Sequence, residues 1–117
     1  MRGRPGNGPV YRDNVVAMEL NIEDVCKEVE ASLSDRDMQI VRRHHYAPGN
    51  GASYFIDGAA CVSSVAFWPN GCCDVDYLYV SEEQAEFCHY EFESEVAAVE
   101  TIVKEIKAAV GRAHTEE

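Results

Sequence analysis

The sequence predicts an α+β fold: a two-layer sandwich in which an antiparallel five-stranded meander packs on N- and C-terminal helices, in the order α-βββββ-α. Three observations predict it. Apolar residues recur at helical spacing near both ends of the chain, they alternate with a period of two between Met38 and Glu93, and the links between the alternating runs are short. Short links force neighbouring strands to run antiparallel, and one sheet with two amphipathic helices buries its apolar side as a two-layer sandwich. The 117 residues suit one domain, burying about 65% of the unfolded surface.

Residues 1–17 carry three Arg, one Asp and five Gly or Pro with little periodicity. They read as a flexible leader outside the fold, with Met18 as a second potential start and residues 18–117 as a single domain. Asn21 is a good N-cap for the first helix, with Asp24 three residues on and Glu23 at its positive end. Ile22, Val25, Cys26, Val29 and Leu33 form its apolar stripe, and Ser34-Asp35-Arg36-Asp37 ends it. Five strands are expected at 38–46, 52–57, 59–68, 72–80 and 86–93. Asp57-Gly58 signals a type I′ hairpin that pairs Ile56 with Ala59. Pro69-Asn70-Gly71 fits a type I turn with glycine in the left-handed position of a G1 bulge. Residues 81–85 make a looser link. Ser94 caps the last helix, Glu95 sits in its first turn, and Val96, Val99, Ile102, Val103, Ile106 and Val110 form its stripe, with Gly111 at C′ and a polar tail beyond.

Composition narrows the function. With 21 Asp+Glu against 10 Lys+Arg the net charge is -11 and the pI near 4.7; without the leader, residues 18–117 stand at -13. Direct nucleic-acid binding and an anionic membrane surface both need a basic footprint, so neither is expected. No apolar run approaches the roughly 20 residues of a membrane span and no signal-peptide h-region stands at the N-terminus, which makes the cytoplasm the expected location. Cys26, Cys61, Cys72, Cys73 and Cys88 are odd in number and lack framework spacing, so they read as reduced thiols, mostly small buried hydrophobes.

The turns give a register and hence two faces. Closing Trp68 against Cys72 pairs Phe67 with Cys73, Val65 with Val75, Ser63 with Tyr77 and Cys61 with Tyr79, a nearly apolar set that meets the helices. The opposite face carries Trp68, Ala66, Ser64 and Val62 against Cys72, Asp74, Asp76 and Leu78. Turning Cys88, Tyr90 and Phe92 inward beside Tyr79, Tyr77 and Val75 places Asp76 opposite Glu91, Asp74 opposite Glu93, His89 beside Leu78 and Phe87 beside Val80. Like charges directly opposed on a sheet are destabilising. In the first strand either register leaves Arg42 or Arg43 near the core side. From His44 to Val103, 60 residues contain no Lys or Arg and ten carboxylates. Acids on a solvated sheet face serve solubility in the first instance. Their company here is aromatic: Trp68, Phe55, Phe87 and His89 share the face, and aromatic anchors ringed by carboxylates describe a docking patch for a basic protein. The expected partner-binding residues are Trp68, Asp74, Asp76, Glu91, Glu93, His89 and Phe87.

In the doublets His44-His45 and Cys72-Cys73 neighbours point to opposite faces, and no CxxC or HxxxH spacing occurs, so no metal is expected. Cys73 and Cys88 approach on the core side without an imidazole. Cys72 with His89 lacks an oxyanion hole, carboxylates around Cys72 raise its pKa, and the Asp76–Glu91 pair lies on a flat sheet rather than in a cleft. No nucleotide fingerprint is present. No catalytic residue and no cofactor is therefore assigned.

The element order over residues 20–110, with Phe67-Trp68-Pro69-Asn70-Gly71, Asp74-Val75-Asp76 and Phe92-Glu93-Ser94-Glu95 before a closing helix, resembles the immunity proteins of bacterial polymorphic-toxin systems, of the TriTu-type group. The resemblance implies a cytoplasmic, non-enzymatic protein that binds and blocks a cognate toxin, often a basic nuclease; it assigns no site residue. Two other readings stand beside it: a secretion chaperone or dimeric adaptor using the open sheet face, and a small-molecule binder or uncharacterised enzyme with a pocket around Tyr54, Tyr77, Tyr79 and Tyr90. A monomer or weak homodimer is expected.

Overall fold

A computed structural model describes residues 19–45 and 51–114; residues 1–17, expected to be a leader, lie outside the described residues. The first helix, α1, spans Ile22–Ala31 with Asn21 as N-cap, its side chain accepting from the Asp24 amide at 3.0 Å. Val25, Cys26 and Val29 are its buried face. The apolar and capping signals thus meet in one element, as the spacing predicts. The Leu20 amide donates to the Pro69 carbonyl at 2.7 Å, which ties the entry of α1 to the turn between the central strands.

Residues expected to end that helix and begin a strand instead form a second short helix, α2, Asp35–Met38. Ser34 and Asp37 satisfy each other's backbone amides in a reciprocal capping box, and that local pairing outcompetes the extended conformation. The first strand, β1, therefore begins late, at Val41–His45. Next come β2 (Ala52–Asp57), β3 (Cys61–Phe67), β4 (Cys72–Tyr79) and β5 (Gln84–Glu91), all antiparallel in the order β1-β2-β3-β4-β5. The closing helix, α3, is Glu95–His114, capped by Ser94, whose hydroxyl accepts from the Ala97 amide at 3.1 Å. The fold is the α+β meander packed on N- and C-terminal helices.

Registers separate what the turns declare from what they conceal. The β3–β4 hairpin pairs Phe67 with Cys73, Val65 with Val75, Ser63 with Tyr77 and Cys61 with Tyr79. Its turn places Gly71 at φ 93°, the left-handed position that glycine enters without a steric penalty. The β2–β3 link differs from expectation: Ile56 pairs with Ser63 rather than Ala59, and the Gly58 amide closes a longer loop onto the Cys61 carbonyl. Gly58 serves space rather than turn geometry. A Cβ there would lie 2.2 Å from the Cβ of Ala113, so the last turns of α3 rest directly on this loop.

The β4–β5 register also departs from expectation. Val80–Glu83 form a four-residue turn, with Glu83 taking the left-handed position at φ 55°. Gln84 then faces Tyr79, which displaces β5 by four residues: Asp76 faces Phe87 and Asp74 faces His89. The expected Asp76–Glu91 and Asp74–Glu93 oppositions do not form. An even displacement keeps every side chain on its expected face, so Cys88 and Tyr90 do point to the helix side. Cys88 is nonetheless exposed, because the helix layer stops short of β5.

The core lies between the helices and β1–β4: Val25, Val29, Tyr54, Ile56, Val65, Phe67, Val75, Ile102 and Ile106 are all fully buried. Each such aliphatic or aromatic side chain contributes about 1.5–3 kcal/mol relative to exposure. Ala98, Ala109 and Ala113 complete the buried stripe of α3, whereas Val96, expected in it, is exposed in the first turn. Gly111, expected as C′, lies within the helix. The awkward arginine of β1 is Arg43. It sits on the helix side opposite Tyr54, with Nε 2.9 Å from Glu30 and a guanidinium nitrogen 3.6 Å from Glu23 of α1, while Arg42 points to the open face and is exposed.

Candidate partner-binding face

The face of the sheet away from the helices is not uniformly open. Ser53 and Ala66 on it are buried and Trp68 and Phe55 half-buried, while His44 meets Phe55 edge-on with ring centroids 4.9 Å apart. Gly51 lies against the Trp68 ring; a Cβ there would stand 2.6 Å from the indole. Exposure is concentrated on β4 and β5. Phe87 is 61% exposed, Leu78 49% and Val80 48%. Leu78 faces Ala85, and Phe87 faces Asp76, so Phe87 and Leu78 are diagonal neighbours on this face.

Next along the same strand pair lies an acidic group built around an imidazole. His89 Nδ1 is 2.6 Å from Asp74 Oδ1, and His89 Nε2 is 3.2 Å from Glu91 Oε2. Asp74 faces His89 across the strands and Glu91 lies two residues further along β5, hence on the same side. Asp74 first and Glu91 second hold the His89 pKa above its ordinary value of 6.5, because both favour the imidazolium. The expected like-charge repulsion is thus replaced by attraction. Asp76 is exposed beside Ser64, whose hydroxyl reaches it at 3.5 Å.

Of the seven residues expected to bind a partner, Asp74, Asp76, His89, Glu91 and Phe87 come together on the outer side of β4–β5. Trp68 stands at the end of β3, its amide bonded to the Cys72 carbonyl, at the border of the group. Glu93 lies past the end of β5 and away from Asp74.

Cys72 joins this group. It faces Glu91 directly, and one donor atom each from Cys72, His89 and Glu91 lies within 4.8 Å of the others. Burial, then Glu91 and Asp74, push the Cys72 thiol above its usual range. Sequence reasoning places all three residues on the open face but separates them through the displaced register. The signal missed is the tight turn at Val80–Glu83, which contains no glycine to announce it.

The helix side of the same strands carries a different chemistry. Glu105, buried on α3, accepts the hydroxyls of Tyr77 at 2.6 Å and Tyr90 at 2.5 Å. Tyr54 donates to Glu30 at 2.8 Å and Tyr79 to Glu86 at 3.3 Å. All four tyrosines of the expected pocket therefore have carboxylate acceptors. The hydrogen bond to Glu105 first, and burial second, raise Tyr90 to about 12, and burial raises Cys73 to about 12. Arg112 lies 4.0 Å over the Tyr77 ring and 3.7 Å from Glu86. Glu105 could have been found from its place between Ile102 and Ile106 in the apolar stripe, opposite two inward tyrosines that need acceptors.

Comparison with protein-family models, with curated proteins and with solved structures finds no match. Among the described residues no helix is long and apolar enough to cross a membrane.

Proposed function

We propose that this protein is a non-enzymatic binding protein that captures a basic protein partner on the outer side of β4–β5. The observation that carries the reading is the exposed pair Phe87 and Leu78, set beside Asp76 and the Asp74–His89–Glu91 group on a strand pair without Lys or Arg. Exposed aromatic and aliphatic side chains supply the apolar anchor of an interface, and surrounding carboxylates steer a cationic surface and set its register. The resemblance to immunity proteins makes the partner a toxin whose cationic active site this patch would occupy, excluding an anionic substrate.

The test examines the genes adjacent to this one for a basic polypeptide and titrates that product with the full chain. A stoichiometric complex is expected, with an association rate that falls as salt rises. Phe87→Ala should weaken it at least about tenfold, as truncation of an anchor does, and Asp76→Lys should slow association. A complex indifferent to both substitutions would remove this face from the reading.

A second reading is favoured by one feature. β5 is an outer strand of the sheet, and Gln84–His89 are exposed on both sides. Such an edge can accept a strand from another chain, as a dimeric adaptor would use it. Sedimentation of the isolated protein separates the two: a stable dimer abolished by Ala85→Pro, at a position whose amide alternates away from the β4 ladder, favours the adaptor, a monomer the partner-binding reading.

A further inference from the structure

We propose that Cys72, His89 and Glu91 form a site for a single zinc ion at the end of the outer face where β4 begins and β5 ends. This goes beyond the partner-binding reading and does not depend on it. The three side chains offer a sulfur, an imidazole nitrogen and a carboxylate oxygen, the donor types zinc takes in four-coordinate sites. One atom from each already lies within 4.8 Å of the other two. Three protein ligands leave the fourth position for water or for a donor from another molecule, which is the arrangement of an open rather than a closed zinc site.

The backbone explains why the three meet. Cys72 and Glu91 are directly opposed in the β4–β5 ladder, and His89 precedes Glu91 by two residues on the same side. The imidazole is oriented from behind. Asp74 Oδ1 lies 2.6 Å from His89 Nδ1, so with the proton on Nδ1 this carboxylate accepts it. That leaves the Nε2 lone pair, 3.2 Å from Glu91 Oε2, for a cation. A carboxylate behind a ligating histidine fixes its tautomer and its ring, and raises its basicity.

The surroundings favour a divalent cation. Asp76 stands nearby on the same face, residues 44–103 hold no Lys or Arg, and Arg42 is three strands away on β1. The thiolate selects zinc over magnesium or calcium, which prefer oxygen donors. Cys72 is half-buried while His89 and Glu91 are exposed, so the site opens to solvent and can load after folding.

The experiment uses the reduced, untagged full chain, with zinc titrated against a chromophoric chelator and cobalt(II) as a spectroscopic substitute. One equivalent of zinc should bind, and cobalt(II) should give a thiolate charge-transfer band with the visible absorption of a four-coordinate ion. Cys72→Ser should abolish that band. Cys88→Ser, which alters the exposed thiol on the other side of the same hairpin, should keep it. Asp74→Asn should weaken zinc about 10–100-fold, as loss of an orienting carboxylate does. Should Cys72→Ser fail to fold, His89→Gln and Glu91→Gln at exposed positions serve instead: each should weaken zinc and alter the cobalt spectrum. Failure to bind one equivalent, a band that survives Cys72→Ser or is lost in Cys88→Ser, or wild-type zinc affinity in His89→Gln and Glu91→Gln would overturn the proposal.

Discussion

The two ends of the sheet are built on opposite terms. At the β1–β3 end, α1 and α3 cover one side, the core is closed, and even the inward Arg43 is held by Glu30 and Glu23. At the β4–β5 end the helix layer runs out, and β5 is exposed along almost its whole length. The first end holds the molecule together; the second leaves aromatic, acidic and thiol groups exposed. The difference teaches that β5 is kept in register chiefly by its ladder to β4 and by polar ties, His89 to Asp74 on one side and Tyr90 to Glu105 on the other.

The contrast is most easily broken by equal truncations at the two ends. Ile102, fully buried where α3 meets the sheet, should lose about 2–5 kcal/mol of stability on replacement by alanine, through lost burial and the cavity left behind. Phe87→Ala on β5 should change stability by no more than about 0.5 kcal/mol, because that ring is largely in solvent already. Denaturant unfolding measures both. Comparable losses would mean that β5 belongs to the core after all.

How much of this was legible follows from the same division. Faces were legible nearly throughout, because alternation with a period of two assigns each residue a side whatever the offset. Offsets were legible only where a turn residue has one physical reason to be present. Gly71 has one, its positive φ, and the β3–β4 register follows from it. Gly58 has another reason, the contact with Ala113, and it misdirected the β2–β3 turn. At Val80–Glu83 a glutamate occupies the left-handed position, so nothing in the sequence marked it. The candidate face shared that fate: its members were visible, but the meeting of Cys72, His89 and Glu91 depended on the concealed offset.

Two glycines sharpen the comparison further. Gly58→Ala should cost about 1–3 kcal/mol, because the new methyl group meets Ala113 in a closely packed contact and one of the two backbones must move. Gly111→Ala should do the reverse. A Cβ at that exposed helical position meets nothing within 4 Å, so alanine gains about 0.5–1 kcal/mol from reduced backbone entropy in the unfolded chain. Thermal unfolding of the two variants should therefore move in opposite directions, although both glycines lie at the same end of α3.

The smallest effect is a slope rather than a step, and it concerns the hydrogen bond that ties Tyr90 of β5 to Glu105 of α3. Tyr90 titrates at about 12 in the folded protein, chiefly because its hydroxyl donates to Glu105, against an ordinary value of 10.0. Its raised pKa contributes stability that is fully present below pH 10 and is lost as pH rises from 10 through 12, since the unfolded chain releases the proton first. Tyr77, donating to the same carboxylate, is shifted in the same direction, with burial as the leading cause. Unfolding followed across this alkaline range should show stability falling with pH, and tyrosinate absorbance should appear late in the folded protein. In Glu105→Gln a neutral amide replaces the carboxylate, so the absorbance should rise at lower pH and the slope should flatten. An unchanged titration in that variant would mean that the Glu105 carboxylate does not hold Tyr90, which would leave the Arg112–Glu86 pair as the tie between α3 and β5 and make the division between the two ends sharper still.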